Sequence, residues 1–73
     1  MDFKQLEYFK TIYEEGRISR AAEKLYISQQ GLSKAILALE KELDCRLFER
    51  SSKGIQLTEP GETLLVHAER VLE

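Results

Sequence analysis

The spacing of the apolar residues changes period once along this chain and then changes back. Helical spacing holds up to Leu43, breaks through residues 46–58, where Arg46–Arg50 and the alternating Ile55–Thr58 read as short strands, and returns after Thr58. A chain built this way must pack several helices around one short hairpin. Nothing else is available to hold it. There is one cysteine, Cys45, so no internal disulfide forms, and no metal-ligand pattern stands out. With 73 residues it is one domain at most, and it buries only about 60–65% of the surface its unfolded form exposes.

Asp2 with Gln5 three residues on is a capping-box variant, and Phe3, Leu6, Phe9, Ile12 and Tyr13 form the stripe of a first helix, 3–15. Gly16 ends it. Ser19 is the expected cap of a short second helix from Arg20 to Leu25, whose small Ala21 and Ala22 permit close helix approach. Tyr26 and Ile27 make a tight connection. Ser28 caps a third helix, about 29–43, with the stripe Leu32, Ala35, Ile36, Leu39 and Leu43. Asp44 stands where a C-terminal glycine is usual. Arg46–Arg50 is a short strand candidate and Ile55–Thr58 alternates apolar and polar, with the turn-like Ser51–Gly54 between them. Thr58 caps a fourth helix, with Pro60 in its first turn and the stripe Leu64, Leu65, Ala68, Val71 and Leu72. Phe3, Phe9, Ile12, Leu32, Ile36, Leu39, Leu47 and Phe48 are the expected core. The fold class is mainly α: a three-helix core, a small β-hairpin wing and a C-terminal helix.

Hydrophobic residues are 42% and charged residues 33%, too apolar for disorder. No apolar run approaches the ~18 residues of a membrane span, and MDFKQLEYFK lacks a signal-peptide plan. A free cysteine without an export signal suits a reducing cytoplasm. No paired carboxylates, nucleophile–base set or phosphate loop is present, so an enzyme is not expected, and neither is a cofactor or a metal. His67 stands alone and Cys45 has no partner base, so neither is assigned chemistry.

The formal net charge of −2 misleads. Residues 16–37 carry Arg17, Arg20, Lys24 and Lys34 against Glu23, a balance of +3. Residues 46–58 carry Arg46, Arg50 and Lys53 against Glu49, a balance of +2. The remaining segments are acidic. Such segregation gives a small protein one phosphate-facing side.

A short helix, a turn and a longer helix make the helix-turn-helix plan, whose second helix enters the major groove of DNA. Gln29, Gln30, Ser33 and Lys34 lie on the solvent face near the start of the third helix. Gln pairs with adenine, Lys donates to guanine, and Ser bonds either partner. Gly31 lets the backbone approach closely, or is simply a tolerated first-turn glycine. Arg50, Ser52 and Lys53 give the hairpin a basic tip that suits the DNA backbone or minor groove. For Arg17 and Arg20, phosphate contact and plain surface charge both stay open. Tyr8, Tyr13 and Tyr26 can stack on bases, but helix packing is the simpler reading.

The stretch RISRAAEKLYISQQGLSKAILALEKELDCRLFERSSKGIQLTEPG resembles the N-terminal winged helix-turn-helix domain of LysR-type transcriptional regulators. The match runs through Ala21-Ala22, Leu25, Ser28-Gln29, Ser33, Ile36, Leu39-Glu40, Leu47-Phe48, Arg50, Leu57-Thr58 and Gly61, and covers essentially the whole chain. The resemblance implies a bacterial, nucleoid-associated regulator that binds double-stranded DNA by sequence. Its recognition helix is about 29–43 and its wing 50–54. The base-reading residues are Gln29, Gln30, Ser33 and Lys34, and the backbone residues are Arg17, Arg20, Ser28, Arg50, Ser52 and Lys53. Residues 1–58 are then the DNA-binding domain and 59–73 the start of a linker helix.

In the family that helix pairs with its twin, so Leu64, Leu65, Ala68, Val71 and Leu72 face a partner, the chain's own core, or both. A homodimer implies an interrupted palindrome; a shortened linker helix makes a monomer the other outcome. The family's larger inducer-binding domain is missing from this sequence, as in an excised fragment, so a small-molecule inducer acts only through that domain. Asp44 and Cys45 depart from the family's Gly and small aliphatic residue, which puts the turn geometry in doubt. Leu37 and Ala38 replace residues that are commonly polar or basic. Leu37 is read either as an exposed or core-edge leucine, the simpler choice, or as a contact to a thymine methyl. The alternative function is a winged helix used only for protein–protein contact.

Overall fold

The computed structural model describes residues 1–73. The order is α1 (Phe3–Glu15), α2 (Ile18–Leu25), α3 (Gln29–Leu43), β1 (Phe48–Ser51), β2 (Gly54–Leu57) and α4 (Glu59–Leu72). Helix α1 is the central element and packs against α2, α3 and α4. The core is Leu6, Phe9 and Ile12 of α1, Ala21 and Ala22 of α2, Leu32, Ile36 and Leu39 of α3, Leu47, Phe48, and Leu64 and Ala68 of α4. The Phe9 and Phe48 rings lie 5.1 Å apart and join α1 to the hairpin. No helix is long and apolar enough to cross a membrane.

Local chemistry sets the helix ends. The Asp2 carboxylate accepts from the Gln5 amide at 2.8 Å, and the Gln5 side chain accepts from the Asp2 amide at 2.9 Å, closing the capping box. Gly16 closes α1 at φ 77°, a left-handed conformation that favours glycine. Asp44 closes α3 the same way at φ 54°, with its amide donating to Glu40 and Lys41 carbonyls, so the departure from glycine leaves the turn geometry intact. Thr58 Oγ1 accepts from the Gly61 amide at 3.1 Å and starts α4, with Pro60 in its first turn.

Some expectations are corrected. Helix α2 starts two residues before Arg20, and Ser19 does not cap it; Arg17 holds the N-cap position without a side-chain hydrogen bond. The strands run 48–51 and 54–57 rather than 46–50 and 55–58, paired antiparallel with Phe48 opposite Leu57 and Ser51 opposite Gly54. Ser51 and Gly54 therefore end the ladder, and the turn proper is Ser52-Lys53. The first strand starts late because the Leu47 amide is taken by the Glu40 carboxylate rather than by a strand.

Phe3 is 58% exposed and is not core. Each three-residue step along α1 drifts by about 60° on a 3.6-residue helix. Phe3 thus lies about opposite Ile12, which is fully buried. Tyr26 is 94% exposed and does not pack: its left-handed backbone, φ 58°, turns the ring outward while Ile27 packs against the core. Tyr13 is exposed at the end of α1, beside a groove bounded by Leu57 and Val66. Tyr8 packs against the core, and so does Cys45.

Gly61 is buried where α4 crosses the Leu47 peptide. A Cβ on it would stand 2.2 Å from the Leu47 carbonyl oxygen. That oxygen already accepts from the Thr58 amide at 3.0 Å, so neither side can yield freely. Gly61→Ala is expected to destabilise the chain by at least ~1–3 kcal/mol. Urea unfolding checks this; a variant as stable as the parent would contradict the close approach.

Candidate nucleic-acid interface

The turn between α2 and α3 aims the candidate face. The amide of Ile27 donates to the Ala22 carbonyl at 3.1 Å, and that of Tyr26 to the Glu23 carbonyl at 3.2 Å. These bonds close α2 and reverse the chain within Tyr26–Ser28. Ser28 Oγ then accepts from the Gly31 amide at 2.9 Å. The first-turn amides of Gln29 and Gln30 have no intrahelical acceptor and point out of the helix end, which is the positive end of its dipole. A Cβ on Gly31 would stand 3.0 Å from the capping Ser28 hydroxyl, a tight contact.

Leu32, Ile36 and Leu39 turn inward, so the opposite face of α3 is left to solvent. Gln29, Gln30 and Lys34 are exposed and Ser33 is half-buried. The structure brings these predicted base-reading residues together with Ser28 around one shallow concavity. Such a surface offers hydrogen-bond donors and acceptors with no partner in the free chain.

The hairpin lies beside this helix. Arg50, Ser52 and Lys53 are all exposed on it. Lys53 donates its amide to Ser51 Oγ at 3.2 Å, and Ser51 Oγ donates to the Gly54 carbonyl at 3.3 Å, which shapes the tip. The Ile55 amide donates to the Gly16 carbonyl at 3.3 Å, fixing the hairpin to the α1–α2 junction. Arg17 shares a small depression there with Arg50 and Ser51. Arg20 is exposed on α2 but lines no cleft with the others.

Only Lys24 among the Lys and Arg side chains is ion-paired, 3.4 Å from Glu15. Lack of pairing therefore does not mark the site; the near-absence of acidic neighbours in residues 16–37 and 46–58 does. Sequence reasoning missed Arg46 as a site residue. It is exposed and lines the cleft between α3 and the wing with Ser33 and Arg50. Its place in the basic 46–58 segment is the signal that could have found it.

Helix and wing are locked together by Glu40. Its Oε2 accepts from the Leu47 amide at 2.7 Å and lies 3.5 Å from the Phe48 amide. A carboxylate is well suited to bind two neighbouring N–H groups. On α4, Leu64 and Ala68 are buried in the chain's own core, while Leu65 and Leu72 are half-buried and Val71 is exposed. Of the expected partner stripe, only Leu65, Val71 and Leu72 keep surface for a second helix.

Three packed helices, a short first and long second helix around a tight turn, and a basic-tipped hairpin define a winged helix-turn-helix protein. A family model described as bacterial regulatory helix-turn-helix protein, lysR family, matches residues 3–62, and the chain belongs to that family. The transcriptional regulator TfdS of Cupriavidus pinatubonensis is 48% identical over 73 residues, which are 100% of this chain and 25% of TfdS. The solved complex of the CbnR DNA-binding domain with DNA matches with a TM-score of 0.91 at 42% identity, covering 99% of this chain and 83% of that one. The BenM DNA-binding domain bound to catB site 1 DNA matches with a TM-score of 0.93 at 38% identity, covering 99% of this chain and 81% of that one. The chain spans about a quarter of the length of the curated relatives it matches.

Glu40→Ala is expected to leave the Leu47 amide unsatisfied and cost about 1–3 kcal/mol. Glu40→Gln keeps an acceptor and is expected to lose less. Urea unfolding of both variants checks the ranking; equal losses would show that the carboxylate is not the tie between helix and wing.

Proposed function

We propose that this chain is the DNA-binding module of a bacterial transcription regulator and reads a double-stranded site by its sequence. One observation carries the reading: the exposed Gln29, Gln30 and Lys34, with Ser33, crowd the open N-terminal half of α3 beside a wing that carries the exposed Arg50 and Lys53. The likeness to CbnR and BenM domains solved on DNA supports it.

In this mechanism α3 inserts its first turns into the major groove. Gln29 and Gln30 have the amide geometry to bond adenine N6 and N7, Lys34 donates to guanine O6 and N7, and Ser33 bonds either base. The Ser28 end of α3 receives a phosphate on its free amides. Arg17 and Arg20 hold neighbouring phosphates, and Arg50, Ser52 and Lys53 hold the wing on the backbone or in the minor groove. Residues 1–58 carry the DNA contacts and 59–73 begin a linker helix through which a second copy pairs, using Leu65, Val71 and Leu72. Two copies set half-sites about one helical turn, or a multiple, apart. Such a regulator works in the cytoplasm.

The test is selection of bound duplexes from a random pool at two salt concentrations. An enriched interrupted palindrome is the expected result. A single enriched half-site would keep the DNA reading and overturn the pairing. No enrichment and no salt-sensitive binding would overturn the DNA reading and leave a protein-contact winged helix. On the selected site, Gln29→Ala is expected to lose ~1–3 kcal/mol and to change the preferred base. Lys53→Ala is expected to weaken all sequences almost equally and to reduce the salt slope by about 1. Titrations of both variants against selected and scrambled duplexes separate the two roles.

A further inference from the structure

Leu37 is the large apolar side chain that α3 leaves in solvent, 63% exposed midway along the helix. It follows Lys34 by three residues, Ser33 by four and Gln30 by seven, so all four share one helical stripe. It lines the concavity of the recognition face and also the cleft toward Arg50 of the wing. The core side of α3 is already occupied by Leu32, Ile36 and Leu39, so of the two forms of the simpler reading, exposed or core-edge, Leu37 takes the exposed one. A leucine in that place neither donates nor accepts a hydrogen bond.

We propose that Leu37 is a specificity-determining residue that packs on the C5-methyl group of a thymine in the major groove. The proposal rests on the DNA reading given above. The major-groove edges of the four base pairs are hydrogen-bonding groups, with one apolar exception, the thymine methyl. Leu37 against a cytosine amino group or a guanine carbonyl would strip water from a polar edge and replace none of its hydrogen bonds. The side chain thus favours thymine by contact and disfavours the other bases by desolvation. Its distance from Ser33, one turn or ~6 Å along the helix axis, is within the reach of a helix laid in the groove.

The experiment uses the half-site selected from random duplexes. Its thymines are replaced one at a time by deoxyuridine, which removes the methyl group and nothing else. Binding of the parent, Leu37→Ala and Leu37→Gln is measured on each duplex. One replacement is expected to weaken the parent roughly four- to tenfold, the scale of burying one methyl-sized group. The same replacement is expected to leave both variants unchanged, and every other replacement to act equally on all three proteins. Thermal unfolding is expected to be unaltered, because the side chain is outside the core.

Equal effects of every replacement on parent and variants would overturn the proposal, as would a selected half-site without an A·T pair. In both cases a parent that still prefers its selected site leaves the DNA reading standing. A parent with no sequence preference at all would overturn that reading, and this proposal with it.

Discussion

The peptide at Leu47 is where the recognition helix, the wing and the last helix meet. Its N–H donates to Glu40 of α3, its carbonyl accepts from Thr58 at the start of α4, and its side chain is buried in the core. Thr58 also donates its hydroxyl to the Arg46 carbonyl while capping α4. Gly61 is glycine because α4 must cross this peptide at van der Waals distance. One residue thus fixes how far the hairpin stands from the reading face of α3. A chain with no disulfide has to obtain that precision from backbone hydrogen bonds and close packing.

The functional face follows from the same arrangement by subtraction. The inward residues of α3 close the core, so its remaining stripe can be polar without cost to folding. Gln29, Gln30 and Lys34 have no partners within the chain, which leaves their hydrogen bonds for base edges or water. Arg46 and Arg50 line the cleft beside that stripe, Arg17 sits next to Arg50, and Lys53 is exposed at the wing tip, although the whole chain is net acidic. In protein–DNA complexes phosphate contacts set register and base contacts set preference, the division of work proposed above for the two groups of residues. Apart from Glu23 on α2 and Glu49 on β1, the acidic residues lie on or at the ends of α1, the end of α3 and α4.

Much of this was legible in the residues. Capping signals at Asp2, Ser28 and Thr58 placed three helix starts correctly, because each depends on a side chain and an amide three residues apart. The base-reading candidates were legible because the apolar stripe of α3 leaves one face over. What was not legible depended on distant partners. Ser19 looked like a cap, but the backbone of Arg17 begins the helix. Residues 46 and 47 read as the start of a strand, but Leu47 bonds Glu40 seven residues back. Phe3 fits the spacing rule and still faces solvent, since a strict period of three drifts around a helix. Tyr26 was misjudged because its left-handed backbone, not its hydrophobicity, aims the ring. For Leu37 the simpler reading, an exposed or core-edge leucine, holds in its exposed form.

The central claim is that one surface, built from the N-terminal half of α3 and the tip of the wing, meets the duplex. Amide chemical-shift changes on titrating the labelled chain with its selected duplex test this most directly. The account predicts the largest changes at residues 28–34 and 51–54, with weaker changes at the same positions on a scrambled duplex. Changes centred instead on the Tyr13, Leu57 and Val66 side of the molecule would contradict it.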